Sequence, residues 1–254
     1  MHPTVVFASG KGGVGKSTVA LNVAVALARD GARVGLVDAD VYGPDIPAMF
    51  GITRRVEARS LALWGANLPK LDPVEVLGVK VISPQFLIGE DQALDWQAPL
   101  IEALLRRLVE QTEWGELDLL LVDLPPGTGD LQQGLFGLLA DPKAVLVVTP
   151  QYVSHLDGRK LLTMLRKRGI QVVGAVENMA ELACPHCGGH VELFDPTATE
   201  RTVWSYGVDR LGSLPFVPAP GIGPGVPLVV AQQDTPTGRA LEETARAIRA
   251  AVLV

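Results

Sequence analysis

The chain has 254 residues, 28 Asp and Glu against 22 Lys and Arg for a net charge of −6, 48% hydrophobic residues and two cysteines. A chain of this length can bury roughly 70% of its unfolded surface without covalent staples, which excludes the disordered and disulfide-scaffold classes. The acidic balance, with no long run of Lys or Arg, disfavours broad capture of nucleic acid or anionic lipid, and no apolar stretch approaches the roughly 20 residues of a bilayer span.

In chain order, short apolar runs alternate with longer stretches at helical spacing, the pattern of a parallel sheet buried on both faces. Strands are expected at 4–8, 33–37, 79–82, 117–122, 144–148, 171–177 and 210–214, and helices at 16–29, 96–110, 130–139, 155–168 and 236–253. Gly31 and Gly169 follow two of these helices, as left-handed C-terminal caps do. The expected fold is α/β, a doubly wound, mainly parallel sheet flanked by helices, in one domain over 1–254. Two segments break the rhythm. Residues 42–77 are rich in Pro, Gly and mixed charge, and 183–225 carry both cysteines and then a Pro/Gly-dense stretch. Long irregular insertions of this kind form sites more often than linkers. The last helix has Leu241, Ala245, Ile248 and Val252 on one stripe, which reads as a face packed on the core. The N-terminus lacks a basic region leading into an apolar signal core, so a cytoplasmic location is expected.

Directly after the first strand stands Gly10-Lys11-Gly12-Gly13-Val14-Gly15-Lys16-Ser17-Thr18, which fits the P-loop pattern. Backbone N–H groups must converge on phosphate oxygens, which demands glycine where a side chain would intrude. The following helix N-terminus adds favourable partial positive charge. Lys16 is expected to reach the β- and γ-phosphates of ATP and Ser17 to ligate Mg²⁺. Hydrolysis also needs carboxylates for the metal and a group that orients water. Asp38 and Asp40 close the second strand and Asp123 closes an apolar run, 119–122, ending in an acid. Strand ends of this kind face the ligand crevice of an open α/β sheet. Asp40 and Asp123 are therefore candidates for Mg²⁺, with Asp38 and Asp40 as catalytic carboxylates beside Lys11 and Lys16.

The cysteines stand as Cys184-Pro185-His186-Cys187, followed by Gly188 and Gly189, which allow backbone N–H groups to point at sulfur. Two thiolates cannot complete a four-cysteine site in one chain, but a two-fold axis through the turn supplies the other two. A shared [4Fe–4S] cluster or a structural zinc satisfies that arithmetic; a redox pair, unmetallated thiols and ligation by His186 or His190 are the competing readings.

Lys11 and the glycines around it resemble the deviant Walker A motif of the family that includes MinD, ParA and nitrogenase iron protein. The resemblance implies an ATP-dependent homodimer in which this lysine crosses to the partner's nucleotide. Three further strings narrow the class: Asp123-Leu-Pro-Pro-Gly-Thr-Gly-Asp130, the 38–47 segment, and Glu177-Asn178-Met179 leading to the cysteine turn. Together they resemble the Mrp/ApbC-type iron–sulfur cluster carrier ATPases over nearly the whole chain. That resemblance implies slow ATP hydrolysis coupled to a cluster held by Cys184 and Cys187 of two subunits. It also implies an iron–sulfur scaffold or donor, recipient apoproteins, and an adenine contact for Asn178. A MinD/ParA-type positioning ATPase is the alternative. The sequence departs from the carrier pattern at Trp96-Gln97-Ala98-Pro99 and again from Asp195 through Gly225, with the cysteine insertion itself at about 181–195.

Overall fold

The computed structural model describes residues 2–52, 69–88, 97–183, 187, 189–195, 197–218 and 225–253, the side chains of residues 130, 183 and 190 excepted. Its strands are β1 (Thr4–Ala8), β2 (Val34–Asp38), β3 (Val74–Val76), β4 (Val79–Ile82), β5 (Leu119–Asp123), β6 (Lys143–Val148), β7 (Val172–Glu177), β8 (Leu182–Ala183), β9 (His190–Val191) and β10 (Arg210–Ser213). The α-helices are α1 (Lys16–Arg29), α2 (Ile46–Met49), α3 (Gln85–Ile88), α4 (Ala98–Glu110), α5 (Asp130–Leu138), α6 (Tyr152–Lys167), α7 (Leu228–Ala231) and α8 (Pro236–Leu253).

Eight strands form one sheet in the order β10-β7-β6-β1-β5-β2-β4-β3, parallel throughout except for β3 on the far edge. Every residue of β1, β2 and β5 is buried, which explains their unbroken apolar runs. The right-handed crossover rule assigns the helices to faces. From β1 to β2 the chain moves one way across the sheet, and α1 covers that face together with α7 and α8. The crossovers β4 to β5, β5 to β6 and β6 to β7 run the opposite way, placing α4, α5 and α6 on the other face. The chain reverses direction around β1, and the carboxyl ends of β1, β5 and β6 border the resulting crevice.

The expected elements are present with small shifts that have local causes. The fourth expected strand starts two residues later than its apolar run, because the Asp118 carboxylate accepts the Arg33 backbone N–H (2.8 Å) and its guanidinium, tying off a turn there. Helix α6 begins three residues earlier than periodicity suggests: the Gln151 carbonyl accepts the N–H groups of Ser154 and His155, and the Ser154 hydroxyl accepts the Thr149 N–H. Strands β2 and β5 run one residue further, taking Asp38 and Asp123 into the ladder as register partners. Trp96, expected to open the helix now seen as α4, lies outside the described residues.

The first irregular segment carries structure of its own, including the α2 turn and the β3–β4 hairpin. Leu77 (φ 51°) and Gly78 (φ 78°) form the hairpin's two-residue connection, both in the left-handed region that such tight turns require. On α8, Leu241, Ala245, Ile248 and Val252 are all buried, so the expected apolar stripe belongs to the core. Among the described residues no helix is long and apolar enough to cross a membrane.

Candidate nucleotide site and cysteine hairpin

The turn between β1 and α1 lies at the reversal point. Gly13 (φ 78°) and Gly15 (φ 79°) adopt the left-handed conformation that other residues resist, the backbone from which successive amides can converge on an anion. Gly10 is glycine for another reason: a Cβ there would lie 2.3 Å from the carbonyl carbon of Asp157, so α6 rests directly on the loop. The Ser9 hydroxyl donates to the Lys11 carbonyl (3.0 Å), and the Gly127 N–H donates to the Ser9 carbonyl (2.9 Å). The latter bond joins the loop to the Pro125–Gly127 exit of β5. Gly15 closes the loop and its carbonyl accepts the Val19 N–H, opening α1.

Lys16 is buried, with its ammonium 2.6 Å from Asp123 Oδ1 and 3.3 Å from the Ser17 hydroxyl. Asp38 stands beside Asp123 in register. Asp38 accepts the Ser83 hydroxyl (3.0 Å), the Ile46 N–H (3.4 Å) and the Asp40 N–H (3.3 Å). Burial and the neighbouring Asp123 charge push the Asp38 carboxyl well above the usual carboxylate range. Burial also raises Asp123, against the pull of the Lys16 ammonium, and raises Asp40. Lysine 16 thus faces a cluster of reluctant carboxylates, an arrangement suited to exchanging partners when a charged ligand arrives.

Asp123 Oδ2 is buried and has no hydrogen-bond partner. A hard cation fits that orphan oxygen and the adjacent Ser17 hydroxyl, since Mg²⁺ is bound by one or two protein oxygens with phosphates and water supplying the rest. No three His, Cys, Asp or Glu side chains among the described residues form a ready-made metal cage. A small pocket of about 10 Å³ lies beside α1, lined by Thr18, Val19, Asn178, Leu214, Pro215 and Leu241 among others. Asn178 is buried there, with its amide donating to the Val14 carbonyl at 2.9 Å.

Lys11 does not join this cluster. Its ammonium donates to Gln151 Oε1 at 3.2 Å, at the start of α6. Sequence reasoning did not reach Gln151, Ser83 or Ser9, because each acts through a partner that only the fold brings near. A short polar motif could at most have marked them as loop residues.

Strands β8 and β9 pair antiparallel, Leu182 with Val191 and Ala183 with His190, and form a hairpin that starts five residues after β7 ends. Cys187 is exposed on it, and a Cβ on Gly189 would lie 3.3 Å from its sulfur. Cys184, His186 and Gly188 lie outside the described residues.

Residues 1–249 match the family model ParA, described as NUBPL iron-transfer P-loop NTPase. The chain is 45% identical over 212 residues to the iron–sulfur cluster carrier protein of Pseudomonas fragi, covering 84% of this chain and 72% of that one. It is 36% identical over 244 residues to the protein of the same name from Pyrococcus horikoshii, covering 93% and 82%. Among solved structures, a nucleotide-binding protein in complex with ADP from Archaeoglobus fulgidus aligns with a TM-score of 0.67 at 33% identity, over 96% of this chain and 86% of that one. The cell division ATPase MinD of Pyrococcus furiosus shares the fold, with a TM-score of 0.72 at 23% identity over 98% and 99%. By these similarities, together with the loop, the buried lysine and the strand-end carboxylates, the chain belongs to the NUBPL iron-transfer P-loop NTPase family.

Proposed function

We propose that the protein is an ATP-hydrolysing iron–sulfur cluster carrier, a single P-loop ATPase domain over 1–254 with a cysteine insertion at about 181–195, working as a homodimer in the cytoplasm. The observation that carries the reading is the buried Lys16–Asp123 pair beneath a glycine loop, with Asp38 in register beside it. Entering ATP competes for Lys16 through its β- and γ-phosphates and frees the Asp123 carboxylate, which with the Ser17 hydroxyl would hold Mg²⁺. Asp40, half-buried at the rim, lies close enough to Asp38 to complete the acidic side of the site. Bound Mg²⁺ neutralises charge on the phosphates.

Asp38 orients the attacking water as ADP and inorganic phosphate form. Gly10, Gly12, Gly13, Val14, Gly15 and Thr18 supply the loop and the first turn of α1, and Asn178 contributes beside the base. Lys11 leaves Gln151 and crosses to the nucleotide of the second subunit. Cys184 and Cys187 of both subunits hold one [4Fe–4S] cluster, received from a scaffold or donor and passed to recipient apoproteins. The relatives' names and the resemblance of the motifs support this reading.

Anaerobic reconstitution with iron and sulfide, followed by absorbance and metal analysis per dimer, tests the cargo. Loss of the chromophore in Cys184→Ala is expected, and a stable cluster in that variant would remove the ligand assignment. Zinc at one per dimer, in place of iron and sulfide, would favour a structural site. For the ATPase, normal hydrolysis by Lys16→Ala would defeat the proposal.

A further inference from the structure

The Asn178 side chain is placed to do more than contact a nucleotide base. Its amide nitrogen lies 2.9 Å from the Val14 carbonyl, and the acceptor requires the NH₂ end of the amide to point there. A Cβ on Gly15 would stand 2.2 Å from that nitrogen, so the glycine admits the amide as well as the left-handed backbone. Asn178 is itself anchored, because its backbone N–H donates to the Val148 carbonyl at 2.7 Å at the end of β6.

A trans peptide is planar, with C=O and N–H pointing in opposite directions. Holding the Val14 carbonyl against Asn178 therefore turns the Gly15 N–H the other way, into the concave side of the loop where a phosphate oxygen would sit. The next peptide is fixed independently, since the Gly15 carbonyl accepts the Val19 N–H of α1. Asn178 is thus the side-chain half of a two-sided clamp on Gly15.

We infer that Asn178 is a positioning residue for the phosphate chain, acting through the Val14–Gly15 peptide. This inference rests on the nucleotide-binding reading above. A side chain that served only the base would be silent toward a ligand that has no base. Inorganic Mg–tripolyphosphate is such a ligand, and calorimetric titration of it alongside Mg–ATP separates the two roles.

Removal of one buried hydrogen bond is expected to weaken Asn178→Ala for both ligands by a similar factor, about fivefold to tenfold. Asn178→Asp, of equal size, sets an acceptor against the Val14 carbonyl where the donor stood and is expected to lose at least as much for both ligands. Gly15→Ala should weaken ATP binding less in the Asn178→Ala background than in the wild type, because the 2.2 Å clash is then gone. Hydrogen exchange in the unliganded protein provides a readout independent of ligand: peptides spanning 11–17 should exchange faster in Asn178→Ala, with the other strand-end loops unaffected.

Weakened ATP binding with unchanged tripolyphosphate affinity would overturn the inference and leave a base contact. So would unchanged exchange in the loop, or additivity of the two substitutions. If the wild type bound neither ligand, the nucleotide reading itself would fall, an outcome distinct from either of these.

Discussion

Lys16→Met keeps most of a buried apolar stem while removing the ammonium that lies 2.6 Å from Asp123 Oδ1. The two side chains are 6% and 1% exposed, so the pair is shielded from water. Deleting one member of such a pair costs about 3–5 kcal/mol, because the surviving charge is left without a partner. Asp38, in register with Asp123, adds a second buried acid to the same space. The stranded carboxyl can avoid the cost by taking up a proton, and the sign of the pH dependence follows. Without Lys16 the folded-state pKa of Asp123, already pushed up by burial, rises further above the unfolded value of about 3.9. The folded state then holds a proton that the unfolded state has given up, so stability falls as pH rises through that folded pKa and returns as pH drops.

Lys16→Met is therefore expected to lose about 3 kcal/mol at a pH above the folded-state pKa of Asp123 and markedly less at a pH below it. Lys16→Met/Asp123→Asn should recover much of the loss at the higher pH, since it removes the stranded charge. Urea unfolding followed by tryptophan fluorescence, with midpoints compared at similar m-values, measures all three. An equal loss at both pH values, or a double variant no more stable than the single one, would refute the claim that this lysine neutralises a buried carboxylate in the unliganded protein.

Gly10→Ala drives a Cβ to 2.3 Å from a backbone carbon of Asp157, which cannot rotate away; a loss of about 1–3 kcal/mol in thermal unfolding is expected, and an unchanged melting temperature would mean that α6 does not rest on the loop as described. Lys11→Ala should leave the monomer's stability within about 0.5 kcal/mol of the wild type while abolishing the ATP-dependent dimerisation proposed above, read by light scattering. Dimers forming as before would show that the lysine's only role is its bond to Gln151. His155 is buried, its Nδ1 accepting the Val203 N–H, and burial with the Arg210 and Arg159 charges lowers its pKa to about 4. The unfolded chain gains that proton near pH 6.5 and the folded one only near 4, so stability should fall as pH drops between them. His155→Gln should flatten that limb of a stability–pH curve; an unaltered limb would assign the acid sensitivity to other groups.

The first helix was legible to the residue because its start is dictated by the loop that precedes it and its end by Gly31. The spacing opens this helix at 155, and Tyr152–Val153–Ser154 join it because aromatic and β-branched residues carry little helix signal until Gln151 and Ser154 cap a start there. The short elements α2, α3, β3 and α7 were missed for a related reason. At three or four residues, none holds a full turn of periodicity beyond its neighbours' signal. Strand order also escapes the sequence, because burial on both faces makes each parallel strand read alike.

The sequence by itself determined the chemistry available: glycines where amides must converge, a lysine and a serine at the helix start, acids at strand ends, and two cysteines three positions apart. These are local facts, set by side-chain size, backbone freedom and spacing along one strand–turn–helix. The tertiary structure decided which of those groups meet. Lys16 finds Asp123 across 107 positions, Lys11 finds Gln151 across 140, and Asn178 finds Val14 across 164. Contacts at such separations depend on β5 and β6 lying on either side of β1, and on Asn178 following β7 one strand beyond. That order follows from crossover handedness and core packing acting on the whole chain, and no local window of sequence contains it.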